Sequence, residues 1–433
     1  MKSLFVKQNI RIYFFSIWIL CVFFGYQNIN ALQVVSVQDT ITFTELKGTV
    51  LDDQDQKPLV YADLNLKGTN IGTITNAEGE FLLKILTKHL NGILVISHLG
   101  YHSISIKLSE LKEGSNTIYL KEAVTTLGEI HLDIMKDPEA LVRETLKRKA
   151  DNYYNHPAIM MAFYRETIKK RNRNASLSEA VVEVYKEPIK SNKDDAIKLI
   201  KARKKTNYSR LDTLALKLQG GPFSNLYTDM IKYPEYVFNQ SNLSDYVFKY
   251  VQTLKAGANE VYVIDFEQRP EIKYPLYYGK IYIDAKSLAL TSAIYKLNVA
   301  DRELSSEMFV KKKPNRVDAY PTEASYRVDY RIKDGKWLFG YSNIALTFKV
   351  KWKRKWFSNT YTLNSEMAIT DWEQNVTGID KPKKRLKPTM ILSDEVSGFS
   401  DPDFWGEFNI IEPEASIESA INKINKRLIK NGT

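Results

Sequence analysis

The chain of 433 residues has little of several residue types that carry chemistry, with one cysteine, five histidines, 19 glycines and 14 prolines. The low glycine and proline content excludes collagen-like and low-complexity proteins. No histidine begins an HxxE or HExxH motif, and GxSxG, GxGxxG and GxxxxGK(S/T) motifs are absent. Zinc peptidases, serine hydrolases, dinucleotide enzymes and P-loop proteins are therefore without support. We predict a non-enzymatic protein with no catalytic residue, no cofactor and no metal ion.

Long apolar runs are also scarce, and Ile12–Phe24 is the one that stands out. Three basic residues precede it: Lys2, Lys7 and Arg11. A basic stretch followed by 13 apolar residues is typical of a secretory signal, and it is short for a spanning helix. We predict a signal peptide over residues 1–31 and export to the periplasm or outer membrane, with an uncleaved N-terminal anchor as the alternative. Removal of the signal would also remove Cys21, which excludes disulfides and thiolate metal sites in the mature chain.

Positive charge is spread unevenly along the chain. Residues 41–122 carry eight lysines against ten acidic residues, whereas residues 123–433 carry 51 basic and 40 acidic residues. Such an asymmetry indicates two bodies with different surfaces.

Residues 45–122 consist of short β-rich runs separated by turns every 8–12 residues, which predicts a seven-stranded β-sandwich. Ile104, Ile106 and Leu108 alternate with polar neighbours, so one face of that strand is expected to be buried. Gly79 is expected to close a hairpin at positive φ, and Gly100 to bend the chain so that Tyr101 caps the sandwich.

The order and spacing of several motifs in this region resemble the carboxypeptidase regulatory-like domain, a prealbumin-type sandwich. The motifs are Gly48-Thr49-Val50-Leu51-Asp52, Pro58-Leu59, Ala62, Gly68-Thr69, Gly72-Thr73, Thr75-Asn76-Ala77-Glu78-Gly79-Glu80-Phe81 and Ser97-His98-Leu99-Gly100-Tyr101. The resemblance implies a non-catalytic module, which in its family occurs beside peptidases and in front of outer-membrane transporters of the Bacteroidota.

Residues 136–433 resemble the long region of unknown function that follows such a sandwich in a group of exported Bacteroidota proteins. The segments that carry this resemblance are Ala162–Thr167, Leu177–Tyr185, Gly220-Gly221-Pro222 and Asp403–Ile411. It implies an architecture and a compartment, and no activity.

Between about residues 246 and 372 the sequence alternates strand-like runs with short turns such as Asp334-Gly335, which favours a large antiparallel sheet. Asp137-Pro138 is a good helix start, and residues 416–430 have an apolar helical face. We therefore predict a mainly β protein whose second part is α+β, with a curved antiparallel sheet packed on helices. The pattern is similar to the half-barrels of periplasmic lipoprotein carriers.

The segment Phe348–Phe357 alternates lysines with aromatic and apolar residues, as a strand with two different faces would. Lys349, Lys351, Lys353 and Lys355 form the candidate anionic-ligand surface, and Trp352 and Trp356 the candidate aromatic face. Because the chain is expected to be exported, nucleic acid is not a predicted partner. The candidates are an anionic envelope lipid, lipopolysaccharide or a glycan, and a solvated outer strand face is the structural alternative.

The sequence thus predicts a cell-envelope binding or assembly protein, with the sandwich as docking module and the sheet region as the ligand or partner body. One alternative is an accessory of outer-membrane TonB-dependent uptake that contacts an outer-membrane protein. Another is a glycan- or peptide-acting enzyme that uses carboxylates such as Glu179 and Glu183. His98 and His102 are a candidate metal pair, with ordinary strand-end histidines as the alternative, and we interpret Asp52, Asp53 and Asp55 as a polar turn.

Overall fold

A computed structural model describes residues 42–123, 137–171, 173–206, 219–256, 259–310, 315–353, 356–395 and 404–414. These residues are mainly β, as predicted, with an N-terminal sheet region followed by a large antiparallel sheet. The predicted signal peptide and the predicted helix over residues 416–430 lie outside the described residues. No helix within the described ranges is long and apolar enough to cross a membrane.

The N-terminal region contains two small sheets, with strand orders β4-β1-β7 and β3-β2-β5-β6. The strands are β1 Phe43–Asp52, β2 Asp63–Leu66, β3 Gly72–Ile74, β4 Glu80–Leu86, β5 Ile93–Ser97, β6 Ile104–Lys107 and β7 Gly114–Leu120. Alternate residues of both sheets, such as Val50, Leu64 and Leu83, share one core. Because these alternate residues are buried, the inner faces of the two sheets pack against each other.

Ten further strands form one continuous sheet in the order β10-β9-β8-β17-β16-β15-β14-β13-β12-β11. Their bounds are β8 Ala158–Lys170, β9 Arg173–Lys186, β10 Ala196–Thr206, β11 Tyr246–Ala256, β12 Asn259–Gln268, β13 Tyr277–Asp284, β14 Leu290–Leu297, β15 Val317–Lys333, β16 Lys336–Trp352 and β17 Asn359–Gln374. All neighbouring pairs are antiparallel. The sheet therefore includes β8, β9 and β10, which precede the range of about 246–372 expected from the sequence.

Some helical residues and some of residues 219–245 share one apolar core with residues on one face of this sheet. The helices are α1 Pro138–Lys147, α2 Lys149–Asn152, α3 Pro222–Leu226, α4 Arg302–Phe309 and α5 Leu392–Glu395. As expected, Asp137 caps α1, where its Oδ1 accepts from the Ala140 amide at 2.9 Å. Phe223, Leu226 and Phe238 are buried against the sheet in a large apolar core. This face is occupied by the chain's own side chains.

The opposite face carries the N-terminal sheets and the segment of residues 404–414. Ile74 and Leu82 of the N-terminal region, Phe163 and Tyr341 of the large sheet, and Trp405 are buried in one cluster. Thr73 Oγ1 donates to the Ile410 carbonyl at 2.9 Å, and the Lys84 amide donates to Asn409 Oδ1 at 2.7 Å. Residues 404–414 therefore act as a wedge that contacts both parts of the protein.

Candidate functional site

Three lysines of the candidate anionic-ligand surface alternate with apolar residues at the end of β16. Lys349, Lys351 and Lys353 are exposed, whereas Phe348 and Val350 between them are buried. Trp352 is half-buried and packs against the same cluster as Phe348 and Val350. Lys355 lies outside the described residues. Strand β16 therefore presents a basic ribbon on one face and contributes to the core with the other.

Trp356 does not share the buried face of Trp352, which corrects the expected aromatic face. Strand β16 ends at Trp352, before Trp356 is reached, so strand alternation does not fix the direction of the Trp356 side chain. The side chain of Trp356 is 93% exposed and that of the adjacent Phe357 is 80% exposed. Two large apolar groups thus project at the end of the β16–β17 hairpin.

A second basic hairpin lies beside the first. Strand β8 pairs with β17 so that Lys170 is opposite Tyr361, and the Arg171 amide donates to the Thr360 carbonyl at 3.1 Å. Arg171 and Arg173 of the β8–β9 turn are exposed. The positive charge is therefore extended around this end of the sheet.

A cleft of about 590 Å³ opens between the N-terminal region and the large sheet. Strand β15 contributes one wall, which includes Arg327 and residues 329–333. Strand β2 and residues 95–101 contribute the opposite wall. These residues are not among those predicted from the sequence; the alternation of Arg327, Asp329 and Arg331 is a signal that could have found them, but it does not indicate which element lies opposite.

Arg327 and Asp329 form an internally satisfied pair on the β15 wall. Arg327 Nε donates to Asp329 Oδ2 at 2.6 Å, and its guanidinium lies 5.2 Å from the centre of the Tyr61 ring. Ser292 Oγ donates to the other oxygen of Asp329 at 2.5 Å. Burial raises the pKa of Tyr61 to about 12, so its hydroxyl stays protonated near neutral pH. The wall offers fixed polar groups beside an aromatic ring.

Arg331 connects the two walls, and His98 lies on the wall of the N-terminal region. Arg331 Nε donates to Asp63, and Arg331 Nη1 donates to the Ile369 carbonyl at 2.6 Å. His98 Nε2 lies 3.0 Å from the Val60 carbonyl oxygen, which can only accept, so this nitrogen carries the proton. Burial and repulsion by Arg327 lower the pKa of His98, which is therefore neutral near pH 7.

Charges in the cleft are balanced, and aromatic rings lie among them. The cationic lining residues are Lys67, Arg327, Arg331 and Lys333. The anionic lining residues are Asp63, Asp284, Asp329 and Asp334. The aromatic lining residues are Tyr61, Tyr101, Tyr330, Trp337, Phe339, Tyr341 and Trp372. A cleft with this lining can hold a polar, uncharged molecule through hydrogen bonds and ring contacts.

The carboxylates considered for catalysis lie in structural networks. Glu179 is buried between Arg165 and Arg203, and Glu183 pairs with Lys198 at 2.9 Å. Neither Glu179 nor Glu183 is among the residues that line the cleft. A carboxylate held by two arginines is a poor proton donor, because the attraction stabilises its ionised form.

The other candidates have local roles in the N-terminal region. Asp52 accepts from the amides of Gln54 and Asp55 at 2.7 and 3.0 Å and from the Tyr101 hydroxyl at 2.7 Å. The turn that begins at Asp52 is therefore hydrogen-bonded to Tyr101, the residue expected to cap the sandwich. Among the described residues, no three potential metal ligands of the His, Cys, Asp or Glu type come together.

Comparison with solved structures gives weak similarities. A DUF1329 family protein from Desulfovibrio piger is 10% identical, with 56% of this chain and 93% of that chain covered and a TM-score of 0.21. A LolA superfamily protein from Nitrosomonas europaea is 8% identical, with 53% and 94% covered and a TM-score of 0.21. Lipovitellin is 8% identical, with 57% and 28% covered and a TM-score of 0.24.

Sequence comparison supports one part of the chain. No curated protein matches significantly. Residues 46–132 match the family model of the CarboxypepD_reg-like domain. The match confirms the resemblance on which the N-terminal prediction rests.

Proposed function

We propose that this protein is a non-catalytic binding protein of the cell envelope, whose ligand occupies the cleft between the regulatory-like module and the large sheet. The observation that carries this proposal is the cleft itself, which has walls from both parts and a volume of about 590 Å³. Ligand sites form preferentially at such junctions between two packed bodies. In this proposal the module supplies one wall of the site as well as docking on the sheet.

The cleft favours an uncharged polar ligand, and a glycan is the envelope molecule of that class. Equal numbers of cationic and anionic lining residues give no net attraction for an ion. Sugar hydroxyls can exchange hydrogen bonds with exposed lining groups such as Lys67 and Asp334, while Trp372 contributes apolar ring surface. The basic ribbon on β16 is separate from these residues and suits anionic groups instead.

The proposed location in the cell envelope rests on the predicted signal peptide and on the proteins in which regulatory-like modules occur. Both are sequence inferences, and the role as an accessory of outer-membrane uptake stays a prediction of the same kind. Co-purification with an outer-membrane transporter would favour that role, whereas the cleft proposal requires a small molecule in the protein itself.

Native mass spectrometry on protein purified gently from its own cell envelope tests the proposal. We expect a bound non-protein mass that Ser103→Trp removes, because Ser103 is exposed and lines the cleft. Ser105→Trp is the matched control, since Ser105 is exposed two residues further along the chain, in β6, and is not among the lining residues. A wild-type protein without any retained molecule, or retention that Ser103→Trp leaves intact, would contradict the proposal.

A further inference from the structure

The end of the β16–β17 hairpin combines exposed aromatic groups with positive charge. Trp356 and Phe357 are adjacent and are 93% and 80% exposed. Burial of such side chains away from water is worth about 1.5–3 kcal/mol each when complete. A pair left in water at a hairpin end therefore has much to gain from an apolar partner.

Basic side chains flank this pair on neighbouring strands. The exposed basic residues are Arg171, Arg173, Arg316, Lys349, Lys351 and Lys353. The Lys353 amide donates to the Arg316 carbonyl at 2.9 Å, which places β15 beside the hairpin. Asp318 lies opposite Lys351 and offsets part of the charge. The surface remains strongly positive, and its partner must carry negative charge.

We propose that this end of the large sheet docks on an anionic lipid bilayer, with Trp356 and Phe357 in the interface and the basic residues against the headgroups. Tryptophan favours the membrane interface because its ring is amphipathic, and basic residues add attraction to anionic lipids. A soluble polyanion would satisfy the charges but would leave the aromatic pair in water. The bilayer satisfies both features at once, and the proposal does not depend on the cleft.

A spin label at the hairpin end measures docking locally. Phe357→Cys in a Cys21→Ser background of the full chain carries the label, and Val376→Cys is the matched site. Val376 is 79% exposed and follows the other end of β17, roughly 50 Å away along the strand. Accessibility of the label to oxygen, relative to a water-soluble nickel complex, then reports whether each position enters the lipid.

With vesicles of equimolar phosphatidylglycerol and phosphatidylcholine we expect the label at position 357 to enter the lipid and the label at 376 to stay in water. Lys349→Glu, Lys351→Glu and Lys353→Glu together should raise the lipid concentration for half-maximal immersion at least about 100-fold, since each basic group near an anionic surface contributes about fivefold. The matched reversal of Lys383, Lys384 and Arg385, which are also exposed, should change it little.

Three results would overturn the proposal. One is a label at position 357 that stays in water on anionic vesicles. A second is equal immersion in pure phosphatidylcholine, which would remove the role of the charges. The third is tight binding of soluble heparin without bilayer entry, which would assign the surface to a soluble polyanion. Each of these is independent of ligand retention in the cleft.

Discussion

Arg165 on β8 donates from Nε to Glu179 Oε1 on β9 at 2.8 Å, and both side chains are buried. Arg203 on β10 donates to the other oxygen of Glu179 at 2.7 Å. Arg165 also reaches Glu366 on β17 at 3.2 Å and the Ile411 carbonyl at 2.7 Å. The row therefore links four strands to the wedge of residues 404–414. Burial opposes ionisation of Glu179, but attraction to Arg165 and Arg203 outweighs it and lowers its pKa.

Glu179→Gln should destabilise the fold by about 3–5 kcal/mol, because it leaves buried guanidinium groups without their counter-charge. Urea denaturation measures the loss. Glu183→Gln is the matched control on the same strand. Its partner Lys198 is 39% exposed, so the loss there should stay below about 1 kcal/mol. Similar losses at both positions would contradict this assignment.

Glu166→Gln should remove a pH-dependent loss of folding stability. Burial raises the pKa of Glu166 from 4.5 to about 7, although the Tyr164 hydroxyl donates to it at 2.9 Å. Between these values the folded state keeps a proton that the unfolded state releases, so stability falls as pH rises, by about 3 kcal/mol in total. The variant keeps an oxygen that can accept from Tyr164.

Denaturation curves at pH 5 and pH 8 test this sign. The wild-type protein should lose more stability than Glu166→Gln across the interval, and the variant should be the more stable of the two at pH 8. A variant whose loss between pH 5 and pH 8 equals that of the wild type would show that Glu166 does not titrate there.

Trp405→Ala should lower the free energy of unfolding by about 3–5 kcal/mol, which is the usual effect of truncating a large buried aromatic side chain. Trp405 is buried and packs edge-on against Phe163, with 5.4 Å between the ring centres. The guanidinium carbon of Arg203 lies 4.8 Å from the centre of the Trp405 ring. Thermal unfolding checks the shift. Glu407 is exposed in the same segment, and Glu407→Ala should change stability by less than about 0.5 kcal/mol.

Local sequence patterns predicted which side chains of a strand are exposed and which are buried, because this depends on residues close together in the sequence. Ser103, Ser105 and Lys107 are exposed while Leu108 is buried, and the β16 lysines face outward, as alternation requires. The buried row of charged residues around Arg165 could not be predicted from the sequence. Arg165 and Glu366 are 201 positions apart, and each looks like a solvent-facing residue in its own strand. The same holds for the cleft, where Asp63 and Arg331 are 268 positions apart. Long-range pairing decides both features, and periodicity carries no information about it.

Gly79 and Gly100 should differ in their response to alanine, although both have positive φ, at 73° and 85°. At Gly100 an added Cβ meets nothing within 4 Å, so Gly100→Ala should cost only the backbone strain, about 1–2 kcal/mol. At Gly79 the Cβ would also lie 2.7 Å from the Val50 carbonyl oxygen, which itself accepts from the Leu59 amide at 2.9 Å. Backbone cannot give way cheaply there, so Gly79→Ala should cost at least about 1 kcal/mol more than Gly100→Ala in urea denaturation. Equal costs would mean that the hairpin relaxes around the methyl group and that positive φ alone requires glycine at position 79.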